Sequence, residues 1–176
     1  MLNTKTTLIT LLSAALLTAC GGGGDGAAVD ARTKYVGTWL AQCSFSSFVG
    51  NSIRYEKEQI VIALQGDTDL ALTSTEILYL DSACTQPATP GTGDTTEATM
   101  TFVGSTKTLT DGKVVDKVRA ALADQNPGDA PVPAILYTAD NKMYAQINDP
   151  DEPVAVDNEG FPNALDTNSY LTKVTN

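Results

Sequence analysis

The chain of 176 residues contains no histidine, which removes the commonest general base and the usual ligand of zinc, haem and copper. A serine or cysteine nucleophile activated by histidine is therefore excluded. Aromatic residues make up only 6% of the chain, whereas the clefts of carbohydrate-cleaving enzymes are usually rich in them. We therefore expect no enzymatic activity, no metal and no cofactor.

Basic side chains are also scarce, with 11 lysines and arginines against 21 acidic residues and a formal net charge of −10. This balance argues against nucleic acid and against an anionic membrane surface as electrostatic partners. The acidic surplus is concentrated in residues 124–166, which hold nine acidic residues and one basic residue, Lys142. Segments 149–152 and 157–159 are candidate calcium loops, but neither keeps the EF-hand spacing, so we interpret this region as solvated loops.

Residues 1–19 are typical of an export signal, with Lys5 in a short positive start and an apolar run at 8–17. That run is too short to cross a bilayer as a helix. It ends in Leu17-Thr18-Ala19-Cys20, which resembles the lipobox of bacterial lipoproteins. The alternative is an ordinary secretory signal that is cut near Ala19, with Cys20 an incidental thiol.

The resemblance to bacterial lipoproteins implies that Cys20 receives a diacylglycerol and, after cleavage before it, a further acyl chain such as palmitate. Several acyl chains on one residue give stable anchoring. Because Gly21 rather than aspartate follows Cys20, the resemblance implies the outer membrane of the bacterial cell envelope. We expect residues 20–32 to be the lipidated cysteine and a glycine-rich tether, and residues 33–176 to be the folded domain.

From Tyr35 onward the dominant pattern is period-two alternation broken by turn residues. It predicts strands at residues 35–45, 53–65, 68–80, 95–103, 106–110, 113–124, 135–139, 142–147 and 169–174. Segment 113–124 also fits a helix, and we prefer a strand because a hairpin turn precedes it. Eight or nine strands joined to their neighbours predict an all-β fold, a small up-and-down antiparallel barrel; a two-sheet β-sandwich is the alternative.

Two dipeptides predict tight hairpin turns between these strands. Asp111-Gly112 is a strong hairpin signal, and we expect positive φ at both of its residues. Asp140-Asn141 separates two further alternating runs. The chain is therefore expected to fold largely through pairing of neighbouring segments.

After acylation of Cys20, two cysteines are left, Cys43 and Cys84. The periplasm is oxidising, so we expect these two to form a disulfide. A metal pair is the alternative, but it lacks histidine and a third thiol. The odd number of cysteines is then explained by one lipid anchor and one disulfide.

The strand Tyr35-Val36-Gly37-Thr38-Trp39 resembles the Gly-x-Trp signature of lipocalins and related calycins. The resemblance implies that Trp39 closes one end of a barrel beneath a basic residue of the last strand, here Lys173. The chain is also similar to a group of bacterial lipoproteins that carry a lipobox, a glycine-rich tether and a Gly-Thr-Trp strand near a cysteine. Without any family, Trp39 is interpreted as a core anchor.

On an unbroken second strand, Arg54, Glu56 and Glu58 share a face with Ile60, Ile62 and Leu64. In a barrel, this pattern predicts an inner wall with a charged mouth and an apolar floor. A bulge near Lys57, or a strand end in solvent, is the alternative.

Two functions follow from such a barrel. One is a lipoprotein that binds a small apolar or amphipathic ligand. The other is a structural or interaction lipoprotein with a filled barrel, which contacts a protein partner through its acidic loops. Met100, Phe102, Tyr137 and Tyr144 favour the filled barrel if they face inward, an orientation that the sequence does not determine.

Overall fold

A computed structural model describes residues 30–49, 52–121 and 128–175. A four-residue 3-10 helix, Ala31–Lys34, comes first. These described residues also form nine strands: β1 Gly37–Leu40, β2 Ser44–Val49, β3 Ser52–Gln65, β4 Asp69–Tyr79, β5 Pro87–Thr108, β6 Val114–Ala121, β7 Val132–Ala139, β8 Lys142–Ile147 and β9 Leu171–Lys173. Within these ranges, no helix has the length and apolar character needed to cross a bilayer.

Eight of the strands close into an antiparallel barrel. Around the wall the order is β1, β9, β8, β7, β6, β5, β4 and β3, and β1 pairs with both β9 and β3. Closure pairs the backbone groups that an open sheet leaves exposed at its edges. The extra strand, β2, pairs with β3 beyond the end of β1 and extends the wall there. The predicted barrel is confirmed, and the β-sandwich is excluded.

The first predicted strand, residues 35–45, is wrong in its continuity and in its end, because it contains β1 and only the first two residues of β2, which continues to Val49. Leu40 lies opposite Gln59 and Ser44 opposite Glu56, so residues 41–43 face only residues 57–58 of β3. This extra residue interrupts the ladder as a bulge does. Cys43 lies in the interruption and is joined to Cys84, with 5.8 Å between their Cα atoms. The disulfide expected from the cysteine count is therefore present.

Strand β5 unites two segments that alternation separated, residues 95–103 and 106–110. Phe102 lies opposite Val118 and Thr106 opposite Asp116, so β5 holds two more residues than β6 between these pairs. Gly104, with φ of 78°, lies in this bulge. Glycine takes up such a conformation without steric cost. The predicted boundary is wrong because the glycine marks a bulge rather than a turn.

The two predicted hairpins form at the expected places, and the turn at Asp111-Gly112 differs in type from the prediction. Residues 110–112 make a three-residue loop, closed by the hydrogen bond from Leu109 N to Lys113 O at 2.8 Å. In it Gly112 has φ of 84° and Asp111 does not have a positive φ, so the expected two-residue turn is wrong. Asp140-Asn141 is a two-residue turn, with φ of 51° and 59°.

The ambiguous segment 113–124 is a strand over Val114–Ala121, and residues 122–124 lie outside the described residues. This strand, β6, is covered on both faces. Its inner face contributes Val118 and Ala120 to the main core within the barrel. On its outer face Val115 belongs to a second cluster, with Leu109, Ile135 and Phe161. Two apolar clusters therefore lie on opposite sides of one wall.

Candidate ligand-binding cavity

The inner face of β3 changes from charged to apolar along its length, as its alternation predicts. Glu58, Ile60 and Ile62 line one interior cavity. Pairing with β4 is unbroken from Tyr55 to Gln65, which excludes a bulge near Lys57 on that side. Leu64, expected on the same inner wall, is 46% exposed and does not line the cavity.

The cavity has a volume of about 470 Å³, within the usual range of small-molecule sites. Its wall is built from inward-facing residues of six strands, β3, β4, β5, β7, β8 and β9. Eleven of the fourteen lining residues are apolar: Ile60, Ile62, Leu70, Leu72, Ala98, Met100, Leu136, Met143, Ala145, Ile147 and Leu171. The three polar residues are Glu58, Ser74 and Thr96. The wall is thus suited to an apolar molecule with few polar atoms.

The polar residues of the cavity lie together because of the strand register. Ser74 lies opposite Thr96 on β5 and opposite Ile60 on β3. Ser74 Oγ donates a hydrogen bond to Glu58 Oε1 at 2.5 Å. The next rows inward, from Leu72 to Leu70, are apolar. One end of the cavity is therefore polar, and the other is apolar.

The polar end is also the end that reaches solvent. Glu58 is exposed although it lines the cavity. A second recess, of about 420 Å³, shares Glu58, Ile60, Met143, Ala145 and Leu171 with the cavity and extends along residues 41–44 and 169–170. Strand β9 faces only Lys142 and Met143 of β8, so the wall is incomplete beside this recess. The cavity therefore has a mouth between the β1–β2 interruption and β9.

Two further glutamates stand near the mouth. Glu76 lies directly opposite Glu58 in the β3–β4 register and shares a hydrogen bond with Glu56. That hydrogen bond raises the pKa of Glu76 and lowers the pKa of Glu56, because it stabilises the protonated form of Glu76 and the ionised form of Glu56. Ser46 Oγ donates to Glu76 Oε1 at 3.3 Å. The ion pairs of the described residues include none of these three glutamates.

The opposite end of the barrel is closed by Trp39, which is 1% exposed. Its Nε1 donates to Tyr35 O at 2.7 Å, and Lys173 Nζ lies 5.1 Å from the centre of the indole ring. The core role of Trp39 and the place expected for Lys173 are both present. Arg32, in the 3-10 helix, donates to the carbonyls of Gly66 and Asp69 at 3.1 and 3.0 Å. The helix is thereby attached to the β3–β4 hairpin.

A buried carboxylate accompanies this closed end, at Asp116 on the inner face of β6. Asp116 Oδ2 accepts a hydrogen bond from Tyr35 OH at 2.6 Å and pairs with Lys34 Nζ at 2.7 Å. Burial, followed by the hydrogen bond to Asp116, raises the pKa of the Tyr35 phenol far above its usual value. The phenol therefore stays neutral and donates to the carboxylate. The alternation pattern did not identify Asp116 as a buried residue. Its burial depends on Tyr35 and Lys34, which lie far from it in the sequence.

The four large residues that favoured a filled barrel divide between the two faces of the wall. Met100 and Phe102 belong to the interior core. Tyr137 and Tyr144 point outward, where their rings are 6.1 Å apart and Tyr170 lies 5.9 Å from Tyr144. Strands β7 and β8 place Leu136 and Met143 inside instead of these two tyrosines. The interior keeps its open volume for this reason.

On the outer wall, lysines bind the segment 157–159, which is a candidate calcium loop by sequence. Lys107 Nζ donates to Asp157 Oδ2 at 2.6 Å, to Asn163 Oδ1 at 2.7 Å and to Phe161 O at 3.1 Å. Lys117 pairs with Glu159. The hydrogen bond from Lys107 is the main reason that the pKa of Asp157 falls to about 2. The oxygen atoms that a calcium loop would offer to a metal ion thus accept hydrogen bonds from the ammonium group of Lys107.

The comparisons with known proteins give no match to a protein-family model, a curated protein or a solved structure. The assignment of an eight-stranded closed barrel therefore depends on the strand pairing of this chain. Cys20 and the segment that resembles a lipobox lie outside the described residues.

Proposed function

We propose that this barrel binds a small apolar or amphipathic molecule in its interior and has no catalytic role. The observation that carries the proposal is the apolar cavity of about 470 Å³ with a mouth at Glu58. Burying the apolar surface of a ligand there removes it from water without a polar wall to desolvate. The lining residues lie on paired strands, so the site needs little ordering when the ligand enters.

We also propose that the chain is a lipoprotein, held by acylated Cys20 at the outer membrane of a bacterial envelope. The support is the order of Lys5, the apolar run and Leu17-Thr18-Ala19-Cys20. Replacing Cys20 with serine is expected to abolish palmitate labelling and to release the protein from the membrane fraction. Labelling that persists in Cys20→Ser contradicts this assignment.

The alternative function, contact with a protein partner through acidic loops, has less support. Asp157 and Glu159, two of the acidic residues in the C-terminal loops, pair with Lys107 and Lys117. Both acids therefore fasten their own segment to the barrel. The open interior volume also argues against a purely structural barrel, because such a barrel is filled by its own side chains.

Two variants on β5 test ligand binding with a matched control. Ala98 faces the cavity, whereas its neighbour Thr99 lies on the outer wall. Ala98→Phe is expected to abolish binding of the neutral fluorescent probe Nile red, because the new ring occupies the cavity. Thr99→Phe is expected to bind the probe as the unchanged protein does.

The binding measurement uses unacylated Cys20→Ser protein, so that no detergent competes for the cavity. Native mass spectrometry of the same sample is expected to show a retained small molecule. A cooperative unfolding curve shows that Ala98→Phe is folded. The proposal is wrong if this folded variant still binds Nile red like the unchanged protein.

A further inference from the structure

We propose that the occupant of this cavity is a cationic amphiphile, an apolar molecule whose single ammonium-type head group lies against the Glu58 carboxylate. This inference rests on the proposed function, since it names the ligand class for the same cavity. It follows from where the polar atoms lie along the cavity and from the sign of their charge.

The apolar part of the ligand is determined by the deep end of the cavity. Leu70, Leu72 and Met100 form consecutive apolar rows below the mouth. Of the fourteen residues that line the cavity, Glu58 carries the only ionisable side chain. A ligand with a second charged group at its far end would bury that charge without a partner, at a large cost in binding free energy.

The head group is determined by the mouth. Glu58 presents a carboxylate at the boundary between the apolar cavity and solvent, and Ser74 Oγ holds its Oε1 atom in place. Thr96 adds a hydroxyl group beside Ser74. An ammonium group can donate hydrogen bonds to these oxygen atoms while its alkyl body enters the apolar rows.

The neighbouring charges reinforce this preference. Glu76 and Glu56 place further negative charge beside Glu58, and the ion pairs of the described residues leave all three without a lysine or arginine partner. A cation at the mouth lowers the electrostatic energy of this group. A fatty-acid carboxylate at the same position meets repulsion from Glu58 and from the Glu56–Glu76 pair.

Among the described residues, no lysine or arginine lines the cavity or the recess beside it, and this includes Arg54, which precedes Glu56 on β3. Lys57 Nζ lies 5.8 Å from the centre of the Tyr79 ring, and Lys142 Nζ lies 3.9 Å from that of Tyr170. Lys173 lies over Trp39 at the closed end. Since none of these three residues lines the cavity, an anionic head group would enter without a cationic partner.

The test compares three probes with the same alkyl chain: decylammonium, decanol and decanoate. Their affinities for full-length Cys20→Ser protein are measured by isothermal titration calorimetry below their micelle concentrations. Decylammonium is expected to bind most tightly and decanoate least tightly, with about tenfold or more between the two. The preference is expected to shrink at high salt, because the mouth is open to solvent.

Charge variants identify the group responsible. Glu58→Gln is expected to weaken decylammonium binding about three- to tenfold and to leave decanol binding unchanged. Glu58→Lys is expected to reverse the order of decylammonium and decanoate. Asp67→Asn removes a charge in the β3–β4 turn, away from the cavity, and is the matched control that keeps the original order.

The outcomes separate this inference from the proposed function. Equal affinity for decylammonium and decanol, or an unaltered preference in Glu58→Gln, overturns the assignment of a cationic head group while the cavity remains a binding site. If folded protein binds none of the three probes, the proposed binding function fails as well.

Discussion

The two sides of β6 differ in how completely their apolar surface is covered by other parts of the chain. On the inner side, Val118 and Ala120 belong to a core that leaves an open apolar cavity. On the outer side, Val115 and Ile135 are covered by Phe161 from the long C-terminal segment. The C-terminal segment therefore covers the apolar surface on the outer side of the wall, whereas part of the apolar surface on the inner side borders the open cavity.

The polar contacts follow the same division. Lys107 binds three oxygen atoms of the covering segment, and Lys117 Nζ lies 4.5 Å from the centre of the Phe161 ring. At the mouth of the cavity, Glu56, Glu58 and Glu76 have no basic partner among the ion pairs of the described residues. Charges on the outer wall therefore attach the covering segment, whereas the glutamates at the mouth attach no segment through an ion pair of the described residues.

The largest expected effect is the removal of Phe161, which is 1% exposed. Phe161→Ala is expected to lower the free energy of unfolding by about 3–5 kcal/mol, because it leaves a void beneath the covering segment. Met100→Ala, inside the barrel, is expected to cost about 2 kcal/mol, since its side chain already borders open volume. Urea unfolding of both variants measures the difference.

A larger loss for Met100→Ala than for Phe161→Ala would contradict this view of the two sides. Nile red binding supplies the second measurement. It is expected to survive in Phe161→Ala under conditions where that variant is folded.

The second prediction concerns the disulfide beside the mouth, which joins residues 41 positions apart. Cys43→Ser is expected to lower the free energy of unfolding by about 2–4 kcal/mol, because the unfolded chain gains the freedom of an open loop. The melting temperature should fall by several degrees. Cys84 is then expected to react with a thiol reagent. Equal labelling of Cys84 in the unchanged protein would show that the pair is not formed in solution.

The smallest effect is a pH dependence of the outer wall. The pKa of Asp157 is lowered to about 2, so its contribution to stability is complete above about pH 4 and is lost as the pH falls towards 2. Because the carboxyl group is partly exposed, we expect at most about 1 kcal/mol from it. Unfolding curves between pH 5 and 2, with and without Lys107→Met, measure this contribution.

Lys107→Met removes the main cause of the lowered pKa of Asp157. The part of the stability loss at low pH that comes from Asp157 should therefore largely disappear. Lys113→Met, which breaks an exposed ion pair with Asp111, is the matched control and is expected to keep that part. The assignment to Asp157 fails if the acid-dependent loss is as large in Lys107→Met as in the unchanged protein.

Much of the fold was predictable because β3 and β4 obey strict alternation and meet at a short turn. Their bounds, residues 53–65 and 68–80 by prediction, differ by one residue at each altered end from the strands observed. The errors are at bulges and at strand ends, since residues 46–49 of β2 and residues 87–94 of β5 were not predicted as strand. An extra residue between β1 and β2, and two in β5 near Gly104, change the pairing without changing strand character.

The candidate site was predictable on one wall only. The alternation of β3 identified Glu58, Ile60 and Ile62 as a charged-to-apolar face. Ser74 and Thr96 were not identified, because polar residues with strand character suit either face of a strand. Their place beside Glu58 depends on the pairing of three strands in register.

By itself, the sequence determined most of the strand content, the hairpin positions and the absence of histidine chemistry, since each depends on residue type or on local periodicity. The tertiary structure alone decided that Tyr137 and Tyr144 face outward and that Lys107 occupies the oxygen atoms of segment 157–163. It also decided that the interior is open. Those features depend on register and on contacts between residues far apart in the chain, which a local pattern does not contain.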